Sequence, residues 1–523
     1  MKRWKRVVYD SNLWHRIALV AVLIFALYLR FVNLAWNPGW YADEGSVLDI
    51  ARNLAEGRQQ YFALGGTPLI AARVPLFHYI LVGAFTLWGY DILTARLVVA
   101  LFNVLTIVLL YWAARQMLDR RVALLAALVL TIMPNVLVYQ RIAFAYNVQA
   151  FFYVLAWWAL WKFAGARRAR WLAIAALAVS AAYMTALTGL GLVVGVLLIV
   201  GWYAPRHLGW MLALMALPGI LYLGALFISA PNALLEDLML QSERSGGGSI
   251  GWQIFDLAWN YSVWLDWTSW IGLGIVGLIL LEERRLRAVT LVIFFTTMLN
   301  AMRMLPGDLS FHRYLELVPF IALGVANFLL RAQRFLSVQF QNDWAIIAAR
   351  IPFLLRFAVL SRVIIALMVG GLLFIPLAWS SLWNYYAVSS RESPLATRLD
   401  WVLVRKPSDA VVVTDYVNQQ TRRDDVVLAS PALAWRLHAR AADFEQMLAF
   451  DGKNTQNYGK GIARARFAFA PTLDNATFVI VDNLWRGWAT QHMPALRENL
   501  QIIESWPLVL QRGDFQVYRN PAR

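Results

Sequence analysis

The chain has 523 residues, of which 60% are hydrophobic, 14% aromatic and only 15% charged, and its mean hydropathy is +0.54. Soluble domains run at about 45–50% apolar and about 25% charged, so soluble, disordered and coiled-coil classes are excluded. The net charge is +16 and cysteine is absent. That removes disulfides, thiolate chemistry and Cys-based zinc or iron–sulfur sites. The basic residues are scattered between apolar segments, which is the pattern of membrane topology and anionic membrane lipid, and no nucleic acid is expected as a partner.

The basic start Met1-Lys2-Arg3-Trp4-Lys5-Arg6 precedes an apolar run with no small-x-small cleavage pattern behind it. It predicts a retained first transmembrane helix with its N-terminus in the cytoplasm. Apolar segments follow near 74–90, 94–115, 121–139, 146–164, 170–187, 189–203, 208–230, 267–281, 286–303, 312–331 and 362–382. Together with 16–35 they predict a polytopic α-helical membrane protein of about 11–13 crossings. Basic clusters around Arg120-Arg121, Arg167 to Arg170, Arg206, Arg284 to Arg287 and 331–362 are placed in the cytoplasm. The linkers 140–146, 231–266 and 304–312 then face outside. This is consistent from residue 94 onward, but the start holds one crossing too many. Either 74–90 does not fully cross, or 170–187 with 189–203 is one broken helix.

The 37–73 linker is read as an external loop, with Gly45 to Glu56 as a short amphipathic helix carrying Val47, Leu48, Ala51 and Leu54 on one side. Such helices commonly lie in the membrane interface. In 231–266, Ser245-Gly246-Gly247-Gly248-Ser249 reads as a flexible stretch. The useful division falls near residue 383. Residues 1–382 carry 30 Lys and Arg against 17 Asp and Glu, whereas 383–523 carry 17 against 14. In the second part the pattern becomes mixed: a helix over 409–420, strands at 425–429 and 477–481, a helix over 484–500, and closing strands at 506–510 and 515–518. That predicts an extracytoplasmic α/β domain, and it contains no glycine fingerprint, P-loop or nucleophile elbow.

The strongest local signal is Asp43-Glu44, just outside the first helix. Adjacent carboxylates before Gly45 are ordinary capping residues. They are also placed where a carboxylate can take a proton from an acceptor hydroxyl or amine. Arg73 and His78 bracket the start of the next apolar segment. Arg73 is explained by snorkelling, whereas His78 needs a partner, and with Glu44 it is a candidate for phosphate or a divalent ion; two candidates do not make a metal site. Arg96, Gln140-Arg141 and Tyr146-Asn147 lie at outer helix ends, either as anchors or, for the arginines, as phosphate forks. Arg303, Asp308, His312 and Arg313 surround one outer turn, against the positive-inside expectation, which suits an anionic partner. Glu316, one turn further, is placed to fix His312 or Arg313.

The order of these motifs resembles the GT-C superfamily of integral-membrane glycosyltransferases. It runs from Trp40-Tyr41-Ala42-Asp43-Glu44-Gly45 through Arg73-Val74-Pro75-Leu76, Thr94-Ala95-Arg96-Leu97 and Gln140-Arg141 to Asn147. It ends at Phe311-His312-Arg313-Tyr314-Leu315. Within that superfamily it is similar to the bacterial branch related to protein O-mannosyltransferases and lipid A aminoarabinose transferases. The resemblance implies a multi-pass protein of the cytoplasmic membrane whose active site and C-terminal domain face outside. It implies transfer of a hexosyl or pentosyl group from a polyprenyl-phosphate sugar donor to a lipid, protein or glycan acceptor, with inversion. Asp43 would be the general base, Glu44 would shape the site, and Arg313 with Arg141 would hold the carrier phosphate. Three positions depart from the family pattern: Arg73 replaces an acidic residue, Asn147 an Asp, and Thr188 a lysine. The rival readings are a lipid-linked glycan flippase or polymerase, a non-catalytic binder and a secondary transporter. No inverted repeat or mid-membrane charge supports the last.

Overall fold

The computed structural model describes residues 11–66, 73–133, 136–245, 268–304, 311–350, 358–391, 403–455, 457–458 and 462–523. The basic start, the glycine stretch at 246–249 and Asp308 lie outside the described residues, as do the side chains of Arg303, His312 and Arg313.

Each apolar segment has a helical counterpart. The helices are α1 (Ser11–Phe31), then α3 (Pro75–Trp88), α4 (Ile92–Met117), α5 (Arg120–Ile132), α6 (Val136–Gln140), α7 (Ala145–Ala166), α8 (Ala169–Thr185) and α9 (Leu190–Tyr203). They continue through α10 (Leu208–Ser229), α11 (Pro231–Ser245), α12 (Thr268–Ile279), α13 (Arg284–Met304), α14 (Val318–Arg350) and α15 (Ala358–Ser389); α2, in the external loop, is described below. By length and composition four described spans can cross a membrane: Leu13–Phe31, Ile92–Met117, Pro205–Ser229 and Tyr314–Gln339. Shorter apolar helices, among them α3 and α8, lie between them. The protein is thus a multi-pass helical membrane protein. With 14 residues, α3 is about 21 Å long, short of a hydrocarbon core of about 30 Å. Between α8 and α9 the chain breaks at the 3-10 turn Leu187–Gly189. Both explanations for the extra crossing at the start therefore have a physical counterpart. The 121–139 segment is two helices, α5 and α6, rather than one.

The bundle packs around a continuous apolar core running from Val22 and Leu29 through Tyr153 and Trp157 to Phe320. Without a hydrophobic drive between helices in lipid, small residues set how closely backbones approach. Here α12 and α14 meet at Gly277 and Gly324, where an added Cβ would overlap the facing backbone, and at Gly274, where it would run into the Ile321 side chain.

The C-terminal part is a five-stranded sheet in the order β6-β5-β7-β9-β8. Its strands are β5 (Val426–Leu428), β6 (Arg440–Ala442), β7 (Ala476–Val481), β8 (Leu508–Arg512) and β9 (Phe515–Arg519). The first three neighbours are parallel and the last two pairs antiparallel. Around the sheet pack α16 (Pro407–Gln420), α17 (Pro431–Ala434) and α18 (Phe444–Phe450). The expected 484–500 helix is divided: a π-turn covers Trp485–Ala489, and α19 (Ala495–Glu504) starts only after Pro494, which cannot continue a helix from the preceding turn.

The external loop and this sheet domain share one core. The loop contributes β1 (Trp40–Tyr41), α2 (Ala42–Ala55), β2 (Gln60–Tyr61) and β3 (Leu64–Gly65). β1 pairs antiparallel with β4 (Leu403–Val404). Val47, Leu48, Ile50 and Ala51 pack with Val427, Leu433, Trp435 and Leu448. The apolar face of α2 is therefore buried against protein, which corrects the expectation of a helix lying in the membrane interface.

Candidate active site

The helix carrying Asp43 begins at Ala42, three residues earlier than periodicity placed it. Asp43 and Glu44 thus fall in its first turn, where the free amide groups favour negative charge. Adjacent helical residues point about 100° apart, so the two carboxylates enter different surroundings.

Glu44 faces inward and is fully buried. Its Oε1 and Oε2 each accept from Arg96, from Nε and Nη2, at 2.7 Å. The Ala143 amide donates to Oε1 at 2.9 Å and the Tyr41 amide to Oε2 at 3.4 Å. Arg96 completes its fork on the carbonyls of Leu34, at 2.8 Å, and Gly39. This is a bidentate pair with its remaining hydrogen-bonding capacity used, the condition under which burying two charges is tolerated.

Arg141 and Asn147 extend this framework. The Arg141 guanidinium, fully buried, donates to the carbonyls of Leu29, Val32 and Asn37, so its donors are committed to closing the end of α1. Asn147 donates to Tyr139 at 3.0 Å and Ile142 at 3.2 Å, shaping the turn that offers Ala143 to Glu44. Arg30, which no sequence pattern separates from an ordinary helix-end arginine, joins them through Gln140 at 2.6 Å. The partners of these arginines are mostly backbone carbonyls, which carry no sequence signature.

Asp43 faces the other way. Its side chain is 51% exposed, and its ion-pair partner among the described residues is Arg73, at 3.5 Å. His78 lies one turn into α3, buried, with Nδ1 3.1 Å from the Val74 carbonyl and Nε2 without a hydrogen-bond partner. A buried imidazole nitrogen left open in this way is a candidate to meet a substrate oxygen. The pairing of His78 with Glu44 around one ligand is not formed, because Glu44 is held by Arg96. Among the described residues no three His, Asp or Glu side chains converge as metal ligands.

The back of α2 is pinned as firmly. Gly45 lies against Pro431 so closely that a Cβ would overlap its carbonyl, and Trp40 packs edge-on against Trp435. The buried Asp49 carboxylate accepts from Arg52 at 2.7 Å and from the Phe62 amide at 2.6 Å. Gln446 accepts from the Ala63 amide and donates to the Tyr61 carbonyl. Arg466 reaches Glu236 at 2.9 Å and Asp237 at 3.1 Å on α11. The sheet domain is thus a clamp on the loop that presents Asp43. Trp40 and Gly45 lie in the quoted motif, but their partners Pro431 and Trp435, and Gln446 and Arg466, carry no sequence signal, and those contacts span hundreds of residues.

Residues 72–234, less than a third of the chain, match the family model described as dolichyl-phosphate-mannose-protein mannosyltransferase. No curated protein sequence matches significantly. Solved structures match over almost the whole length. ArnT from Cupriavidus metallidurans, bound to undecaprenyl phosphate, superposes with a TM-score of 0.67 at 17% identity, covering 98% of this chain and 99% of that one. Its apo state gives 0.66 at 15% identity, covering 98% of each chain. The oligosaccharyltransferase of Archaeoglobus fulgidus gives 0.53 at 15% identity over 94% of this chain and 72% of its own. The chain has the GT-C fold of integral-membrane glycosyltransferases, and within that fold it resembles the protein mannosyltransferase and ArnT branch.

Proposed function

We propose that this protein transfers a sugar from a polyprenyl-phosphate donor to a lipid, protein or glycan acceptor at the outer face of the cytoplasmic membrane, with Asp43 as general base. The observation that carries the reading is the unequal treatment of the two adjacent carboxylates: Glu44 is locked into the scaffold, and Asp43 is held rigidly beside it with half of its surface open. A base must be positioned within hydrogen-bond reach of the proton it takes, and a helix clamped on both sides meets that demand. The GT-C fold agrees with it, as does a structural counterpart that holds undecaprenyl phosphate.

In the proposed step the Asp43 carboxylate accepts the acceptor's hydroxyl or amine proton as that oxygen or nitrogen bonds the anomeric carbon. The bond from the anomeric carbon to the phosphate oxygen breaks with inversion, and polyprenyl phosphate leaves with the electron pair. Arg73, beside Asp43, is assigned to the growing phosphate charge, and His78 to a sugar or phosphate oxygen. Arg313, by resemblance, and Arg303 and His312, from the basic charge gathered before α14 against the positive-inside expectation, complete the anion site. Glu44, Arg96, Arg141 and Asn147 act as positioning residues behind Asp43.

The test is transfer from a panel of radiolabelled polyprenyl-phosphate sugars in membranes containing the parent or Asp43→Asn. A positioned base contributes about 10²–10⁴-fold, so the variant should lose turnover by that factor while remaining inserted and equally heat-stable. Equal turnover would remove Asp43 as base. Turnover by neither protein, with donors bound normally, would favour the flippase or non-catalytic binder reading.

A further inference from the structure

Between α13 and α14 the chain runs as a 3-10 segment, Phe311–Leu317, seven residues long, where such runs commonly stop at about four. The segment carries His312 and Arg313 and packs against α6, α7, α13 and α14. Glu316, near its end, is fully buried, and neither carboxyl oxygen has a hydrogen-bond partner. Thr188 and Tyr153 are the polar side chains that face it among the described residues, and no described cation pairs with it. The hydrogens around it decide its form. Thr188 stands in the 3-10 break between α8 and α9, and its hydroxyl gives its one hydrogen to Gln149 Oε1 at 2.9 Å. That amide is fixed in orientation, because its Nε2 donates to the carbonyls of Ala182 at 3.1 Å and Ala186 at 2.9 Å. The Tyr153 hydroxyl gives its hydrogen to the Thr188 carbonyl at 3.2 Å, which also accepts from Asn300 at 3.1 Å. Thr297 in turn donates to the Tyr153 oxygen at 3.4 Å. The two hydroxyls beside Glu316 therefore have only lone pairs left for it. A carboxylate, which can only accept, finds no donor there, and an ionised group buried without donor or cation is far costlier than the neutral one. A carboxylic acid has one hydrogen to give and completes the network.

We propose that Glu316 is held as a neutral carboxylic acid that donates to the Thr188 hydroxyl, and that in this form it is a positioning residue of the anion site. Its role at that site rests on the transferase reading above. The bond ties the 3-10 segment carrying His312 and Arg313 to the break between α8 and α9. Neutrality matters as much as the bond. Glu316 lies three residues beyond Arg313, about 6 Å along a 3-10 axis. A carboxylate at that separation would repel a carrier phosphate held by Arg313, and in a low-dielectric interior that repulsion is strong. The neutral acid anchors the segment without adding a charge that opposes the phosphate.

The experiment uses the full chain in nanodiscs at neutral pH, with two readouts. The infrared difference spectrum of the parent minus Glu316→Gln should show the carbonyl stretch of a protonated carboxyl; a carboxylate band in its place overturns the proposal. Calorimetry then measures binding of undecaprenyl phosphate. Glu316→Gln is neutral and keeps an N–H to give, so it should bind within about twofold of the parent, whereas Glu316→Leu and Thr188→Val, which lose the hydrogen bond, should bind about fivefold or more weakly. Glutamine as weak as leucine would mean that the charged form is required, and equal binding by all variants would mean that the contact positions nothing; either overturns the proposal. A carbonyl band in a parent that binds no undecaprenyl phosphate overturns the role at an anion site and counts against a lipid-phosphate donor as well. The expected binding pattern without any turnover counts against the transferase reading alone, because neither readout needs catalysis.

Discussion

Glu44 and Asp43 are neighbours in sequence and opposites in environment. Glu44 has no exposed side-chain surface and sits in a bidentate pair with Arg96; Asp43 is 51% exposed and meets Arg73 only at 3.5 Å. The difference teaches how a membrane-surface carboxylate is kept both accessible and still: the closed side absorbs the structural work, so the open side needs no strong partner of its own. The comparison breaks most visibly at Arg96. Arg96→Leu leaves Glu44 buried without a cation, a change that costs about 3–5 kcal/mol. The expected outcome is a marked fall in the apparent melting temperature and in the yield of monodisperse protein. Adding Glu44→Met to Arg96→Leu should recover much of that loss, because an apolar pair of similar volume is often neutral. A single variant as stable as the parent would mean that the pair is not what holds α2.

A third carboxylate sharpens the contrast, because it is buried like Glu44 but has no ion-pair partner among the described residues. Asp443 starts α18, accepts from the Gln446 amide at 2.7 Å and reaches the Tyr61 hydroxyl at 3.5 Å across the seam. Burial pushes its carboxyl up to about 6. Burial, helped by the Asp443 charge, likewise pushes the Tyr61 phenol well above its ordinary range. The folded protein therefore holds the Asp443 proton more tightly than the unfolded chain does. Stability falls as pH rises from about 4 to 6, and the full penalty, up to about 3 kcal/mol, is present above that window. Asp443→Asn keeps a side-chain oxygen to accept from the helix amide and cannot ionise. It should melt higher than the parent at pH 7, with the gap closing toward pH 4. A parent profile that is flat over this window, or an Asn variant less stable at pH 7, would show that the ionised form is satisfied across the seam.

What the sequence disclosed follows from the range of each signal. Apolar segments announce membrane helices because every residue of the run contributes, and strands such as Val426–Leu428 and Ala476–Val481 are rich in β-branched residues. β6 was missed because it reads Arg440-Ala441-Ala442, a poor strand former that acquires its place from its parallel neighbour. The true start of α2 was missed because apolar spacing begins at Val47, while the acidic first turn and its Arg96 partner lie 52 residues apart. Arg96 and Arg141 were visible as arginines at outer helix ends. Whether such a guanidinium waits for a phosphate or closes on Leu29, Val32, Leu34 and Gly39 depends on carbonyl positions. Those positions exist only after the chain has folded.

The weakest pair is the most informative about chemistry. Arg73 is 20% exposed and Asp43 51%, at a separation of 3.5 Å, and pairs of that kind contribute about 0.2–1 kcal/mol. Arg73→Gln should therefore leave the melting temperature within a degree or two of the parent, the smallest stability effect of the three. If Arg73 serves the departing phosphate, the cost appears in turnover: kcat should fall while the affinity for a polyprenyl-phosphate sugar changes less, since the phosphate gains charge as the bond breaks. A fall in affinity alone would assign Arg73 to ground-state binding of the donor. A stability loss as large as that of Arg96→Leu would erase the distinction between the closed and open sides of α2.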